Sequence, residues 1–245
     1  MNTKNPNVFP RTHWSRLAAV KGDASAERRE ALNFLAERYW KPVYCYLRRR
    51  GYGESDSEDL VQEFFFTALA KGLFAKADPA RGRFRNFLLK SLQHFLANEW
   101  RDARARKRRP VEGFVSIQEL ASEAGPVVVA KDTKTPEDTF HQTWLCELVL
   151  RVLRNLEQEY CASGKQIHIE LLRQRVIAPI LDGAEVPSLR ELADRYALSV
   201  KDVENRVITA RRAYQRLLRD EIGIYASSDE EVTAEIQDLW HFLSE

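Results

Sequence analysis

The chain has 245 residues, 44% apolar and 30% charged, and carries a net charge of only +2. That composition can fill one large or two small cores and argues against disorder throughout. No apolar run reaches the roughly 18 residues a bilayer span needs, and Met1 to Pro10 lacks the apolar core of a secretion signal, so a cytoplasmic protein with no membrane partner is expected.

Residues 1–24 read as an N-terminal extension holding the aromatic segment Phe9-Pro10-Arg11-Thr12-His13-Trp14-Ser15. From 25 to 106 apolar residues recur at spacings of three and four, interrupted at Gly51-Tyr52-Gly53 and at Asp78-Pro79-Ala80-Arg81-Gly82. This pattern predicts a first helical domain. Its segment from Asp56 to Gly72 should bury Val61, Phe64, Phe65 and Ala68 while showing Asp59, Glu63 and Phe66. An exposed Phe flanked by acids suits a protein partner with a basic, partly apolar surface, unless Phe66 packs within its own domain.

The next predicted helix, Phe84 to Arg104, turns Phe84, Leu88, Leu92 and Phe95 inward. Asn86, Lys90, Gln93, His94, Arg101 and Arg104 fall on the other side, with Trp100 at the border. Between Arg81 and Arg109 ten cations face only Glu99 and Asp102, a block that attracts polyanions. Base-edge donors, an aromatic ring and cations on one helix can track single-stranded or opened DNA. The plainer alternative is a core-edge Trp100 followed by a soluble arginine run.

Residues 107–138 lose the helical period, contain Gly113, Gly125 and Pro126, and read as a flexible linker rich in acids. Helical periodicity resumes near Thr139 and defines a second domain, 139–225, broken around Asp182-Gly183 and Pro187. Ser188-Leu189-Arg190-Glu191 has the capping-box pattern and should start a helix. That helix halts at Ala197-Leu198-Ser199, where Ser199 and Asp202 suggest a second cap, and the spacing fits a helix-turn-helix. On the second helix Val203, Val207, Ala210, Tyr214 and Leu217 should pack. Lys201, Asn205, Thr209, Arg212 and Arg216 lie opposite. Lys and Asn can reach base edges and Arg can hold phosphates, although a merely solvated face has the same look.

Residues 226–245 form a short amphipathic tail. Val232, Ile236, Leu239 and Leu243 recur at helical spacing beside Trp240, and seven acids without any Lys or Arg follow Asp220. Such a stripe must be buried. It can dock on the second domain in competition with DNA, or serve only as a buttress.

Cys45, Cys146 and Cys161 are odd in number and lack a CxxC spacing, which suits reduced thiols in the core better than disulfides or zinc. The five histidines, His13, His94, His141, His168 and His241, form no HExxH, and Gly51-Tyr52-Gly53 lacks the rest of a phosphate loop. No catalytic residue, metal or cofactor is expected, and the chain does not read as an enzyme.

Taken in order, three segments resemble the extracytoplasmic-function group of sigma factors. Asp56-Ser57-Glu58-Asp59-Leu60-Val61-Gln62-Glu63-Phe64-Phe65 resembles the group's polymerase-binding helix. Gly82-Arg83-Phe84-Arg85-Asn86-Phe87-Leu88 and the helix through Arg104 resemble the segment that melts and reads the minus-ten promoter element. Leu198-Ser199-Val200-Lys201-Asp202-Val203-Glu204-Asn205-Arg206-Val207 with Ala210-Arg211 resembles the reader of the minus-thirty-five element. Asn98 and His94 depart from the group's frequent Asp and Asn, which bears on minus-ten preference. The stretch Tyr160 to Pro187 is longer than usual, and both termini extend beyond the minimal group.

The resemblance implies an all-α fold of two helical domains joined by a flexible linker, and a mechanism without catalysis. Asp56, Asp59, Gln62, Glu63 and Phe66 would dock on core RNA polymerase, chiefly the β′ clamp with β alongside. Arg81, Arg83, Asn86, Lys90, His94, Asn98, Trp100, Arg101 and Arg104 would hold minus-ten DNA. Ser199, Lys201, Asn205, Arg206, Thr209 and Arg212 would hold the minus-thirty-five duplex. The acidic linker would lie in the polymerase's positively charged channel, and an anti-sigma factor is a further partner. The alternative is a stand-alone helix-turn-helix regulator, which would bind duplex DNA without polymerase.

Overall fold

The computed structural model describes residues 25–76, 82–102, 135–179, 183–224, 226 and 228–242. The N-terminal extension, most of the linker and the final residues therefore lie outside the described part, as do Arg81 and Arg104 and the side chains of Trp100 and Arg101. Among the described residues all regular structure is helical, as the periodicity predicts. The helices are α1 (Ser25–Arg49), α2 (Glu54–Ala70), α3 (Phe84–Asp102), α4 (Pro136–Ala162), α5 (Gln166–Leu172), α6 (Leu189–Tyr196), α7 (Val200–Gly223) and α8 (Asp229–Phe242). A 3₁₀ turn, Leu73–Lys76, follows α2, and a π-helical turn, Arg173–Ile177, continues α5.

The described residues form two units. The first runs through Leu145 and takes in 224 and 226; the second comprises Cys146–Gly223 and 228–242. In the first, α1 packs on α2, and its buried Leu35, Tyr39, Trp40, Val43 and Tyr46 meet the inward residues of α2 and α3 in an aromatic core. Phe84 lies edge-on to Tyr39 at 5.3 Å, and Phe64 to Phe95 at 5.6 Å, the geometry ring quadrupoles favour. Each such fully buried ring or Leu contributes about 1.5–3 kcal/mol. Helix α1 stops where Gly51 takes φ 93°, which lets Tyr52 N–H reach the Leu47 carbonyl at 3.2 Å. That six-residue closure needs a left-handed residue, so the expected break at Gly51 has a direct cause.

Helix α4 begins at Pro136, inside the segment read from sequence as the end of the linker, and the division between the units falls within it. A capping box starts it: Thr135 Oγ1 accepts from Asp138 N–H at 3.0 Å, and Asp138 Oδ2 accepts from Thr135 N–H at 3.1 Å. Thr139, Phe140, Thr143, Trp144 and Leu145 are buried in the first unit, whereas Leu148, Val152, Leu153 and Leu156 are buried in the second. One unbroken apolar stripe serves two cores, so periodicity cannot mark where the packing partner changes.

In the second unit α7 packs on α5, α6 and α8. Tyr214 Oη donates to the Val149 carbonyl at 3.2 Å, and burial pushes its phenol well above the ordinary range. Arg151 pairs with the buried Glu221 at 3.2 Å. Leu218 is buried and Leu217 only half-buried, correcting the expected inward position, because a straight helix drifts off a fixed heptad over the two heptads from Val203. Cysteine placement is also corrected in part: Cys45 is buried, Cys146 is half-buried and Cys161 is exposed, all as free thiols.

The tail forms α8 with Ser228 as its cap, the hydroxyl accepting from Glu231 N–H at 3.2 Å. Val232 and Glu235 are buried in the packing of this unit. With α8 in place, Lys201, Asn205, Thr209 and Arg212 are all exposed.

Candidate protein-docking and nucleic-acid surfaces

Helix α2 presents the face its sequence predicts. Ser57, Val61, Phe64, Phe65 and Ala68 are buried, Asp56, Asp59 and Glu63 are exposed, and Gln62 is half-buried. Phe66 is 41% exposed, so it does not pack away within its own domain. An apolar ring is thus held in water between exposed carboxylates.

On α3 the residues Asn86, Lys90, His94 and Asn98 are exposed and step by four, making a continuous strip of donors and one cation, with Arg83 half-buried just before it. Two neighbours expected on the outer side or in the basic block are engaged elsewhere. Gln93 donates to Glu137 Oε1 at 2.9 Å, and Arg85 is 5% exposed with its guanidinium 4.6 Å above the Trp144 ring. Arg85 is thus withdrawn from any polyanion. A signal for this exists in the sequence, since Arg85 shares a helix side with the inward Leu88, Leu89 and Leu92.

Beside this contact His141 is largely buried, and burial, followed by the nearby Arg85 charge, lowers its pKa from 6.5 to about 4. The unfolded chain takes up a proton near pH 6.5 that the folded chain refuses until about pH 4. Stability should therefore fall as pH drops through that window. His141→Gln should flatten the fall in Tm between pH 6.5 and pH 4, read by calorimetry; an unchanged slope would show that other groups carry it.

The second surface rests on α6 and α7. Ser188 Oγ accepts from Glu191 N–H at 3.1 Å and Glu191 Oε2 accepts from Ser188 N–H at 2.8 Å, the expected capping box, which holds the Glu191 carboxyl below its usual range. Ser199 Oγ accepts from Asp202 N–H at 3.1 Å and donates to Asp202 Oδ2 at 2.7 Å, capping α7. Leu171, Leu192, Ala193, Val203 and Val207 form the small core between the helices, with Leu189, Tyr196 and Leu198 against it.

The turn is made by Ala197 in the left-handed conformation, φ 51° and ψ 46°, with Leu198 N–H bonded to the Ala193 carbonyl at 2.9 Å. A Cβ in this conformation costs about 1–2 kcal/mol, more than the 0.5–1 kcal/mol or so of chain entropy glycine carries. Ala197→Gly should stabilise the fold by up to about 1 kcal/mol, a rise of roughly 2–4 °C in Tm. A lower Tm would show that the methyl makes compensating contacts.

On the open face of α7, Lys201, Asn205, Thr209 and Arg212 are exposed and Arg206 is half-buried. Thr209 Oγ1 donates to the Asn205 carbonyl at 2.8 Å, which leaves the Asn205 amide free of that bond. Arg216, expected on the phosphate-holding side, is instead tied to Glu159 at 2.7 and 2.9 Å and lies 3.7 Å from Asp220. Long-range acid on α4 withdraws it.

Residues 35–106 match the family model described as Sigma-70 region 2. No curated protein and no solved structure matches the chain. The matched segment contains α2, with its acidic and aromatic face, and the exposed strip of α3. The match, over less than a third of the chain, supports a sigma factor role in RNA polymerase binding and promoter melting. No described helix is long and apolar enough to cross a membrane.

Proposed function

We propose that the chain is a sigma factor of the extracytoplasmic-function group, which joins core RNA polymerase in the cytoplasm and directs it to promoters. The observation carrying this reading is that the region 2 match coincides with two exposed faces of different chemistry, acidic and aromatic on α2, polar and cationic on α3. Asp56, Asp59, Gln62, Glu63 and Phe66 dock on the β′ clamp. Arg83, Asn86, Lys90, His94 and Asn98, continued by Trp100 and Arg101 and joined by Arg81 and Arg104, hold the opened minus-ten strand. The residues of the α6–α7 helix-turn-helix, Ser199, Lys201, Asn205, Arg206, Thr209 and Arg212, hold the minus-thirty-five duplex. Ser199 does so as the cap of α7. Each DNA contact can be weak, because the polymerase scaffold joins them at high effective concentration. An anti-sigma factor fits as a regulator of these same faces.

The test is a gel shift over a promoter library with and without bacterial core polymerase, followed by run-off transcription. A sigma factor shifts promoter DNA only with core; tight duplex binding by the chain alone would instead establish a stand-alone regulator. In the same library Asn205→Ala should change base preference at one minus-thirty-five position by about 1–3 kcal/mol. Arg212→Ala should weaken all sequences alike and lower the salt slope by roughly one. Uniform effects from both would remove the groove assignment of Asn205.

A further inference from the structure

The segment Tyr160 to Pro187, longer than the sigma resemblance accounts for, contains the π-helical turn. Helix α4 ends where Gly164 takes φ 69° and Lys165 N–H bonds the Tyr160 carbonyl at 2.9 Å, and α5 starts at once. After Leu172 the backbone changes register, and Ala178 N–H bonds the Arg173 carbonyl five residues back. In an α-helix Leu172 and Ile177 would lie about 140° apart. Five-residue bonding brings them towards one side, and both are buried. Of the side chains between them, Arg173 pairs with Glu157 on α4, while Gln174 and Arg175 turn to α6 and the residue before its cap.

Two of these side chains hold α6 at both ends. Gln174 Nε2 donates to Tyr196 Oη at 2.7 Å and also to Glu170, while Gln174 Oε1 accepts from Arg195 Nη1 at 2.7 Å. Arg175 Nη1 donates to the Pro187 carbonyl, immediately before the Ser188 cap. Tyr196 in turn packs on the small core beneath α7 and directly precedes the left-handed Ala197. Thus one amide reads the last turn of α6, and one guanidinium reads the residue before its first turn.

We infer that Gln174 and Arg175 are positioning residues for the minus-thirty-five reader: the π turn clamps α6 and thereby sets the angle at which α7 meets DNA. The inference rests on the proposed function of α7. The polar ends of Gln174 and Arg175 are taken up by Tyr196, Arg195 and the Pro187 carbonyl, so the clamp acts by lowering the ordering cost of binding, not by adding a phosphate contact.

The test uses Gln174→Met, which keeps length and helix propensity, and Tyr196→Phe, which removes one hydroxyl and keeps the ring. The probe is a duplex selected from a randomised pool by wild-type holoenzyme, the full chain with bacterial core polymerase. Gln174→Met should weaken that duplex about tenfold, with the salt slope unchanged because no counterion release is lost. The double variant should lose no more than the larger single loss, since both break the same bond. In the free protein, hydrogen exchange at Leu198 N–H should accelerate in Gln174→Met, a readout independent of DNA. Wild-type exchange at Leu198, or wild-type affinity with faster exchange, overturns the clamp. A salt slope lowered by about one, as for Arg212→Ala, also overturns it, by showing a direct phosphate contact. A wild-type holoenzyme that selects no duplex would sink the proposed function instead, while Leu198 exchange still judges the clamp.

Discussion

Arg151→Ala should destabilise the second unit by about 3–5 kcal/mol, because it strands a carboxylate that folding has removed from water. The Glu221 side chain is 7% exposed and its Arg151 partner 17%, with 3.2 Å between the charged atoms. Taking either ion out of water costs several kcal/mol, and only the opposite charge and surrounding hydrogen bonds offset it. Arg151 joins α4 to α7, so its loss also removes one of the ties on the helix that carries Lys201 and Asn205. The pair need not add much net stability. Replacing both members, Arg151→Met with Glu221→Leu, should recover most of the loss, since apolar packing often equals a buried ion pair. Urea unfolding of the two variants measures this directly. A single variant within about 1 kcal/mol of wild type would mean that water reaches Glu221 and the pair behaves as a surface one.

The double reversal Asp59→Lys with Glu63→Lys should abolish association with core polymerase while leaving the helix content intact. Both residues are exposed on α2, one turn apart, and Phe66 stands beside them on the same face. Two reversals change the local charge by four, so a cationic partner that was steered in is now repelled. The buried side of the helix, Val61, Phe64, Phe65 and Ala68, is untouched, so the aromatic core should hold. Phe66→Ala should have a smaller effect, about the 2 kcal/mol of one apolar anchor, and should be insensitive to salt where the charge reversals are not. Co-purification of the folded double variant at wild-type levels would move the docking surface elsewhere.

Most of these faces could be seen in the amino-acid order. The inward set of α2, the outward Asn86, Lys90 and His94 of α3, and the caps at Ser188 and Ser199 all appear where the spacing puts them. Their cause is local: a helix has a set period, and a cap bonds a backbone group three residues away. Such features follow from a few neighbouring residues whatever the rest of the chain does.

The tertiary structure decided which of the outward or basic residues remain available. Arg85 lies over Trp144, Gln93 bonds Glu137 and Arg216 bonds Glu159, each partner standing on α4, far along the chain. Ala197 takes a left-handed turn that sequence preference would give to glycine, and the π turn at Arg173–Ile177 brings Gln174 to Arg195 and Tyr196. Periodicity assigns each residue a side of its helix, but not the neighbour that side will meet. Charge pairing, burial and left-handed strain depend on that neighbour, and it arrives only when distant segments pack.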